Sequence, residues 1–339
     1  MSLTASFTVT DRDVSVDLAV DDGSTLAIIG PNGSGKSTVL QVLAGLLRAD
    51  RGTAAVDARI LFDQQTWLAP HQRRLALLAQ QPRLFPRMTA LGNVEFALRA
   101  RGADRQQATD WLERVAAGDL AHRRPATLSG GQAQRVAIAR ALAADPDVLL
   151  LDEPLAALDP RVAAEIRHTL RPILAGRTTV LVTHDVLDAA LLADDLLVMQ
   201  AGRVVESGAT TTVMSNPRTD FAAQMCGLNL VRGVAAGPDT LASSMGTLTG
   251  LGCLRAGEQA VAAFAPAAVG VYRHPPHGSQ RNVVPARITR LTPHGQVVRV
   301  GTDAFAADLT PGAVAELGLC PDLAVFLAVK AAEIQLYAA

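Results

Sequence analysis

Lysine is nearly missing from this chain. Of 31 basic residues only Lys36 and Lys330 are lysines, and arginine supplies every other positive charge. Charge of one sign is missing too: the net charge is −1. That gives no electrostatic footprint for nucleic acid or an anionic membrane surface, so no nucleic-acid partner is expected. The three cysteines, Cys226, Cys253 and Cys320, are far apart and outside any metal-ligand spacing. They exclude a disulfide framework and are expected to be small buried residues in a reducing compartment. No apolar run approaches the roughly 18 residues that span a bilayer. The opening MSLTASFTVTDRD has no basic region leading into an apolar stretch, so no signal peptide is expected. Low-complexity, heptad and long single-charge segments are also missing. The expected setting is cytosolic, with any work at a membrane done through a partner.

Against that scarcity, Lys36 stands inside GPNGSGKST, residues 30–38. The pattern G-x-x-x-x-G-K-[S/T] turns backbone N–H groups inward on a phosphate. The lysine reaches the β- and γ-phosphates as a compact point charge, where a planar guanidinium is too large, and the Ser37 hydroxyl ligates Mg²⁺. The apolar run 26–29 reads as a buried strand and 39–47 as a buried helix. Strand, glycine loop and helix is the context the motif needs, with the phosphates at the helix N-terminus.

At 339 residues, a prior of about 150 per domain suggests two domains. Residues 7–9 and 14–20 alternate as antiparallel strands. Helical spacing covers 88–101, 104–117 and 130–144, separated from the glycine loop by an arginine-rich polar stretch at 71–74. Strands are predicted at 148–151 and 178–182, with Pro160 opening a helix between them. Residues 196–200 and 203–206 read as a hairpin. Strands alternating with helices imply a mainly parallel α/β sheet. After about Cys226 the texture changes to short apolar runs between Gly, Pro and Asp turns, with strands predicted at 283–284, 286–291, 296–300 and 324–330. This part reads as a small all-β domain. The resulting boundaries are 1–227 and 228–339.

Two further constellations carry chemistry. VLLLDEP (148–154) is a buried strand ending in two carboxylates. In a P-loop protein Asp152 supports Mg²⁺, and Glu153, next to it, suits a general base or a residue that positions water. LSGGQ (128–132) precedes a helix; Ser129 suits its N-cap, and Gly130 and Gly131 allow close backbone approach. This reads either as an ordinary cap or as a second anion site at a helix N-terminus. One chain has one γ-phosphate to bind, already held by Lys36, so a second phosphate-binding cap suggests that two chains share each nucleotide.

In this order, GPNGSGKST, LSGGQ, LLLDEP, LAALD and VTHD resemble the ATP-binding subunits of ABC transporters, over about the first 225 residues. The resemblance implies an α/β RecA-like core, an inserted helical subdomain at about 82–144, and a head-to-tail homodimer sandwiching two ATP. It assigns the phosphates to Gly30, Pro31, Asn32, Gly33, Ser34, Gly35, Lys36, Ser37 and Thr38, and Mg²⁺ to Ser37, Gln80 and Asp152. Gln80, in AQQPRLFP (79–86), matches the glutamine loop; it is chosen over Gln81 by its distance to residues 84–86. The resemblance gives catalysis to Glu153, His184 and Gln80, and the dimer-contacting loop to Asp159. Ser129, Gly130, Gly131 and Gln132 would contact the ATP of the other chain. The family's adenine-stacking aromatic, by spacing near Asp13 and Val14, is missing. Either Phe7 supplies it from a shifted strand or adenine packs on an aliphatic such as Val14.

PHQRR (70–74) followed by AQQPRLFP resembles the molybdate/sulfate-type importer ATPases. SQRNVVPARI (279–288) looks like the opening of a molybdate-binding repeat, one copy of which fits at about 279–338 in a small OB-like domain of the TOBE/Mop type. The resemblance implies molybdate import, with sulfate or thiosulfate, polyamine and ferric iron import as alternatives and a soluble non-transport ABC ATPase as a remote one. It implies transmembrane permease subunits as partners, a periplasmic or lipoprotein oxyanion-binding protein acting indirectly, and a peripheral place on the cytoplasmic face of the membrane. Ser279, Arg281 and Asn282 are the candidate oxyanion residues. Residues 84–86 are expected either as an exposed docking knob or as core.

Overall fold

The apolar run before the glycine loop becomes a strand in the middle of a ten-stranded sheet, paired in parallel on both sides, and the run after the loop becomes a helix. In a computed structural model that describes residues 1–278 and 281–339, the chain divides into Met1–Val213 and Met214–Ala339. The first unit runs β1 (Leu3–Val9), β2 (Val14–Val20), β3 (Thr25–Ile29), α1 (Lys36–Leu43), β4 (Arg51–Val56), β5 (Arg59–Phe62), β6 (Leu75–Leu78). It continues α2 (Ala90–Ala100), α3 (Gln107–Arg114), α4 (Gly130–Ala143), β7 (Val148–Asp152), α5 (Pro160–Leu174), β8 (Thr179–Val182), α6 (Val186–Leu192), β9 (Asp195–Gln200), β10 (Arg203–Ala209) and enters α7 (Thr210–Ser215).

The sheet order is β5-β4-β1-β2-β10-β9-β3-β8-β7-β6. Strands β9, β3, β8, β7 and β6 are parallel, as strands buried on both faces should be. β1, β2, β4 and β5 form the antiparallel part, where β1 and β2 alternate buried and exposed residues. Helices α2, α3 and α4 lie between β6 and β7 in the chain and share a core through Val94, Leu98, Leu112, Val136 and Ile138. Asn93, fully buried, pins the turn before α2: its Oδ1 accepts from Phe85 N at 2.8 Å, and its Nδ2 donates to Phe85 O and Thr89 O. The 84–86 turn is therefore fixed from below. It presents Phe85 outward, 36% exposed, with its ring 4.6 Å from that of Phe96 and tilted by 59° to it.

Within the arginine-rich stretch, His71, Gln72 and Arg74 are exposed but Arg73 is not. Arg73 is 0% exposed. Its Nη1 donates to the carbonyls of Val42 and Leu43, both at 2.8 Å, its Nε donates to Leu68 O, and its guanidinium lies 4.4 Å from the Trp67 ring. A cation on the last carbonyls of α1 complements the helix dipole.

The second unit starts ahead of the texture change at residue 228, because α8 (Asp220–Met225) and the residues before it bond to the strands that follow. Arg232 donates to Arg218 O and pairs with Asp220, and Tyr337 Oη donates to Pro217 O. Strands β11 (Asn229–Gly237), β12 (Thr240–Ser243), β13 (Gly246–Thr249), β14 (Gln259–Phe264) and β20 (Gln335–Ala338) form one sheet. Strands β15 (Gly270–Tyr272), β16 (Asn282–His294), β17 (Val297–Thr302), β18 (Ala307–Leu309) and β19 (Ala324–Val329) form another, with α9 (Pro311–Glu316) between β18 and β19. One core joins the two sheets through Val231, Phe264, Ile288, Val325 and Leu327. The strands between 229 and 272 escaped the sequence reading, which also split β16 at Pro285. The proline is tolerated because β17 pairs only from Ile288 onward, leaving Pro285 paired on one side alone. The cysteines depart from expectation as well: Cys253 and Cys320 are exposed.

Candidate nucleotide-binding and hydrolysis site

β3 delivers the chain into the glycine loop, and α1 begins at Lys36. Gly30 has φ +154°, and a Cβ there would lie 2.2 Å from Met199 O; at Gly35, φ +98°, it would lie 2.6 Å from Val14 Cγ2. The loop needs glycine at both points for conformation and for space. Lys36 is 8% exposed and its Nζ donates to Gly30 O at 2.8 Å and Pro31 O at 2.9 Å. Burial lowers its pKa, while the carboxylates of Glu153 and Asp152 pull the other way. The ammonium thus rests on loop carbonyls, from which an incoming phosphate can draw it.

Asp152 ends β7 and Glu153 follows with φ +49°, a left-handed conformation uncommon for a non-glycine residue. Asp152 Oδ1 accepts from Ser37 Oγ at 3.4 Å. Burial raises its pKa; the Ser37 hydrogen bond opposes this. A hydroxyl and a half-buried carboxylate are hard oxygen donors of the kind that suit Mg²⁺. Glu153 is flanked on both oxygens. Oε2 accepts from Gln80 Nε2 at 3.0 Å, and Oε1 lies 3.4 Å from His184 Nδ1. Its side chain is 18% exposed and that of His184 60%, so the carboxylate is oriented from within and reached from outside. Arg12, Val14, Asn32, Gly33, Ser34, Gly35, Lys36, Ser37, Thr38, Gln80 and Glu153 line one cleft of about 520 Å³. Ser34 Oγ is buried there without a protein partner.

Phe7 is not in this cleft. It is 3% exposed, with its edge toward Phe62 in the sheet core. The shifted-strand alternative fails because Phe7 pairs with Val16 in register and shares the inward face with Leu3, Ala5 and Val9. Val14 does line the cleft, together with Arg12, which sequence reasoning passed over. Arg12 Nη1 donates to Thr38 Oγ1 and Gln41 Oε1, which holds its guanidinium beside α1.

The residues at 128–132 form a cap of their own. Ser129 Oγ accepts from Gln132 N at 3.3 Å and Gln132 Oε1 accepts from Ser129 N at 3.0 Å, a reciprocal capping box. Gly130 is exposed, and the backbone of Gly131 faces Leu158 and Ala157, next to Asp159, which caps α5. None of these residues is among those lining the Lys36 cleft of the same chain.

In the second unit Ser279 lies outside the described residues and Arg281 is exposed. Asn282 is 2% exposed and fully engaged: Oδ1 accepts from Thr249 N, and Nδ2 donates to Thr249 O and Val329 O. Both amide hydrogens hold strands together, so neither is left for an oxyanion. The sequence reading of Asn282 as an anion ligand gives way to a structural one.

The ABC transporter family matches residues 14–156 and the TOBE domain family residues 278–336. The molybdenum import ATP-binding protein ModC of Mycobacterium tuberculosis strain H37Rv is 43% identical over 98% of this chain and 96% of its own. The Fe(3+) ions import ATP-binding protein FbpC of Pseudomonas fluorescens is also 43% identical, but over 60% of this chain and 58% of its own. Among solved structures, the dimeric structure of a bacterial ABC transporter cassette is 32% identical, with a TM-score of 0.55, over 62% of this chain and 99% of that one. With this glycine loop, these paired carboxylates and this C-terminal β unit, the chain belongs to the ABC transporter family, as an ATP-hydrolysing ATP-binding subunit carrying a TOBE domain.

Proposed function

We propose that the chain is the energy-coupling ATPase of a molybdate importer. The observation that carries this is the extent of the match. Identity to ModC runs through the TOBE unit to 98% of the chain, whereas the ferric iron relative of equal identity aligns over 60% of it. Sulfate, polyamine and ferric iron import remain the alternatives that the ATPase unit alone would allow. The test is uptake of radiolabelled molybdate, sulfate and ferric iron in cells whose only copy carries Glu153→Gln. Loss of molybdate uptake alone is expected, and loss of another uptake with molybdate import intact refutes the reading.

Two copies sandwich two ATP. Lys36 and the amides of Gly33 and Gly35 hold the β- and γ-phosphates of one nucleotide, and Ser129, Gly130, Gly131 and Gln132 of the second copy cap the same γ-phosphate. The placement of this cap off the Lys36 cleft supports completion by a partner copy. Ser37, Asp152 and Gln80 would hold Mg²⁺, which would neutralise phosphate charge. Glu153, oriented by Gln80 and His184, takes the proton of the attacking water. His184 stabilises the charge that develops on the γ-phosphate. Asp159, capping α5 at the surface, meets the partner copy.

Among the described residues no helix is long and apolar enough to cross a membrane. The chain works from the cytoplasmic face through permease subunits, and a periplasmic or lipoprotein oxyanion-binding protein supplies those from the other side. The permease docks at the groove of about 660 Å³ beside Phe85, Phe96 and Arg140, which leads from the surface toward the strand preceding Gln80.

A further inference from the structure

Among the described residues His184 has no side-chain partner except Glu153, which it approaches at 3.4 Å, and its side chain is 60% exposed. An exposed imidazole on a loop between β8 and α6 should sample several rotamers. What fixes it must act through the loop. Both neighbours of His184 are bound into one network around a buried arginine. Arg167, on α5, is 6% exposed. Its Nε and Nη2 donate to Asp188 Oδ1 at 2.8 and 2.6 Å, and Nη2 also donates to Asp185 Oδ2 at 3.0 Å. Asp188 Oδ2 accepts from Thr183 Oγ1 at 2.9 Å, and Thr183 Oγ1 accepts from Asp185 N at 3.0 Å. Thr183 and Asp185, on either side of His184, are thus tied to the same guanidinium. These residues line a cavity of about 240 Å³ that also includes Glu153 and His184.

We propose that Arg167 is a positioning residue for hydrolysis: its fork to Asp185 and Asp188 fixes the 183–185 loop and thereby the distance from His184 to Glu153. Structural stabilisation alone would not call for this arrangement. Buried ion pairs contribute little net stability against apolar replacements, and their best-attested use is to fix one geometry among several. Arg167 is not among the residues that line the Lys36 cleft, so ATP binding is expected to be independent of it. A misplacement of about 1 Å at a reacting group can cost on the order of 100-fold in rate. Lysine cannot replace the fork, since a point charge cannot bond Asp185 and Asp188 in two fixed directions. The inference rests on the proposed role of His184.

The test is a double-mutant cycle in the full chain with Mg-ATP. Arg167→Met is expected to lower kcat by about tenfold to 100-fold while KM for ATP changes by less than about threefold. In a His184→Ala background the same change should cost no more than about twofold further, because the residue it positions is gone. Should Arg167→Met not fold, Asp185→Asn takes its place in the cycle. It keeps an oxygen to cap Leu187 N, sits at a side chain 43% exposed, and loses the charge that Arg167 holds. Unchanged kcat in the folded variant, or losses that multiply with His184→Ala, overturns the proposal. If His184→Ala itself leaves kcat unchanged, the role given to His184 fails instead, so the two failures are separable.

Discussion

Replacing Lys36 by arginine keeps the charge and should still abolish most turnover. The Nζ atom sits 2.8 Å from Gly30 O and 2.9 Å from Pro31 O, on a side chain 8% exposed. The glycine loop that holds it is packed tightly at two points: a single Cβ at Gly30 would strike Met199 O, and one at Gly35 would strike Val14. A guanidinium is longer, planar and carries five donors in fixed directions. Set in this space it either pushes the Gly30 and Pro31 carbonyls outward or leaves donors unpaired. Each hydrogen bond to a charged group contributes about 1.5–3 kcal/mol. Two such bonds misdirected at the phosphates correspond to about 3–6 kcal/mol, or 10²- to 10⁴-fold, at about 1.4 kcal/mol per decade. The assay is kcat/KM for Mg-ATP with the full chain, with Lys36→Met in parallel to remove the charge outright. Lys36→Arg is expected within about tenfold of Lys36→Met and at least 100-fold below the parent, by the hydrogen-bond magnitudes above. Turnover within about threefold of the parent would show that charge alone suffices, and would refute the argument that the nest selects a compact ammonium.

Glu153→Gln removes the base but keeps the shape that Gln80 and His184 hold; hydrolysis should fall by about 10²- to 10⁴-fold while ATP-dependent dimerisation, read by size exclusion, persists. Normal turnover there would take the base role from Glu153. Arg73→Met deletes three charge-assisted hydrogen bonds from the end of α1 and from Leu68. The apolar replacement recovers part of that, leaving a loss of about 2–4 kcal/mol in denaturant unfolding; a stability unchanged or raised would mean that the guanidinium is merely tolerated there. For Asp152 the raised pKa means that burial disfavours the carboxylate. Without a cation its contribution to stability is greatest below the ordinary aspartate range and is lost as pH rises through the elevated value. Bound Mg²⁺ favours the ionised form, so the melting-temperature gain from Mg²⁺ should grow as pH rises through that value, and chelation should abolish the gain. An equal gain at every pH, or its persistence in Asp152→Asn, would remove Asp152 from the metal site.

Much of the first unit was legible because its signals are local. An apolar run of four or five residues before a glycine loop, a Ser three residues before a Gln, and a Pro after an Asp each carry their own physical cause within one turn of chain. β3, the cap at Ser129 and the start of α5 follow from these. Phe7 was also within reach of local reasoning. It shares strand parity with Leu3, Ala5 and Val9, and that parity sends it to the core rather than to a ligand. The strands from 229 to 272 were harder, since short runs broken by Gly and Asp have their pairing set by partners such as β20, far along the chain. Arg73 and Arg167 were out of reach for the same reason in sharper form. Their acceptors at Val42, Leu43 and Asp188 lie many residues away, and each is placed by packing rather than by pattern. The composition that exposed Lys36 also hid them. Two lysines among 31 basic residues make each lysine conspicuous, while arginine is this chain's default cation for surface and interior alike. A buried arginine here can be told from a solvated one only by what its fork is bonded to, and that is a property of the fold.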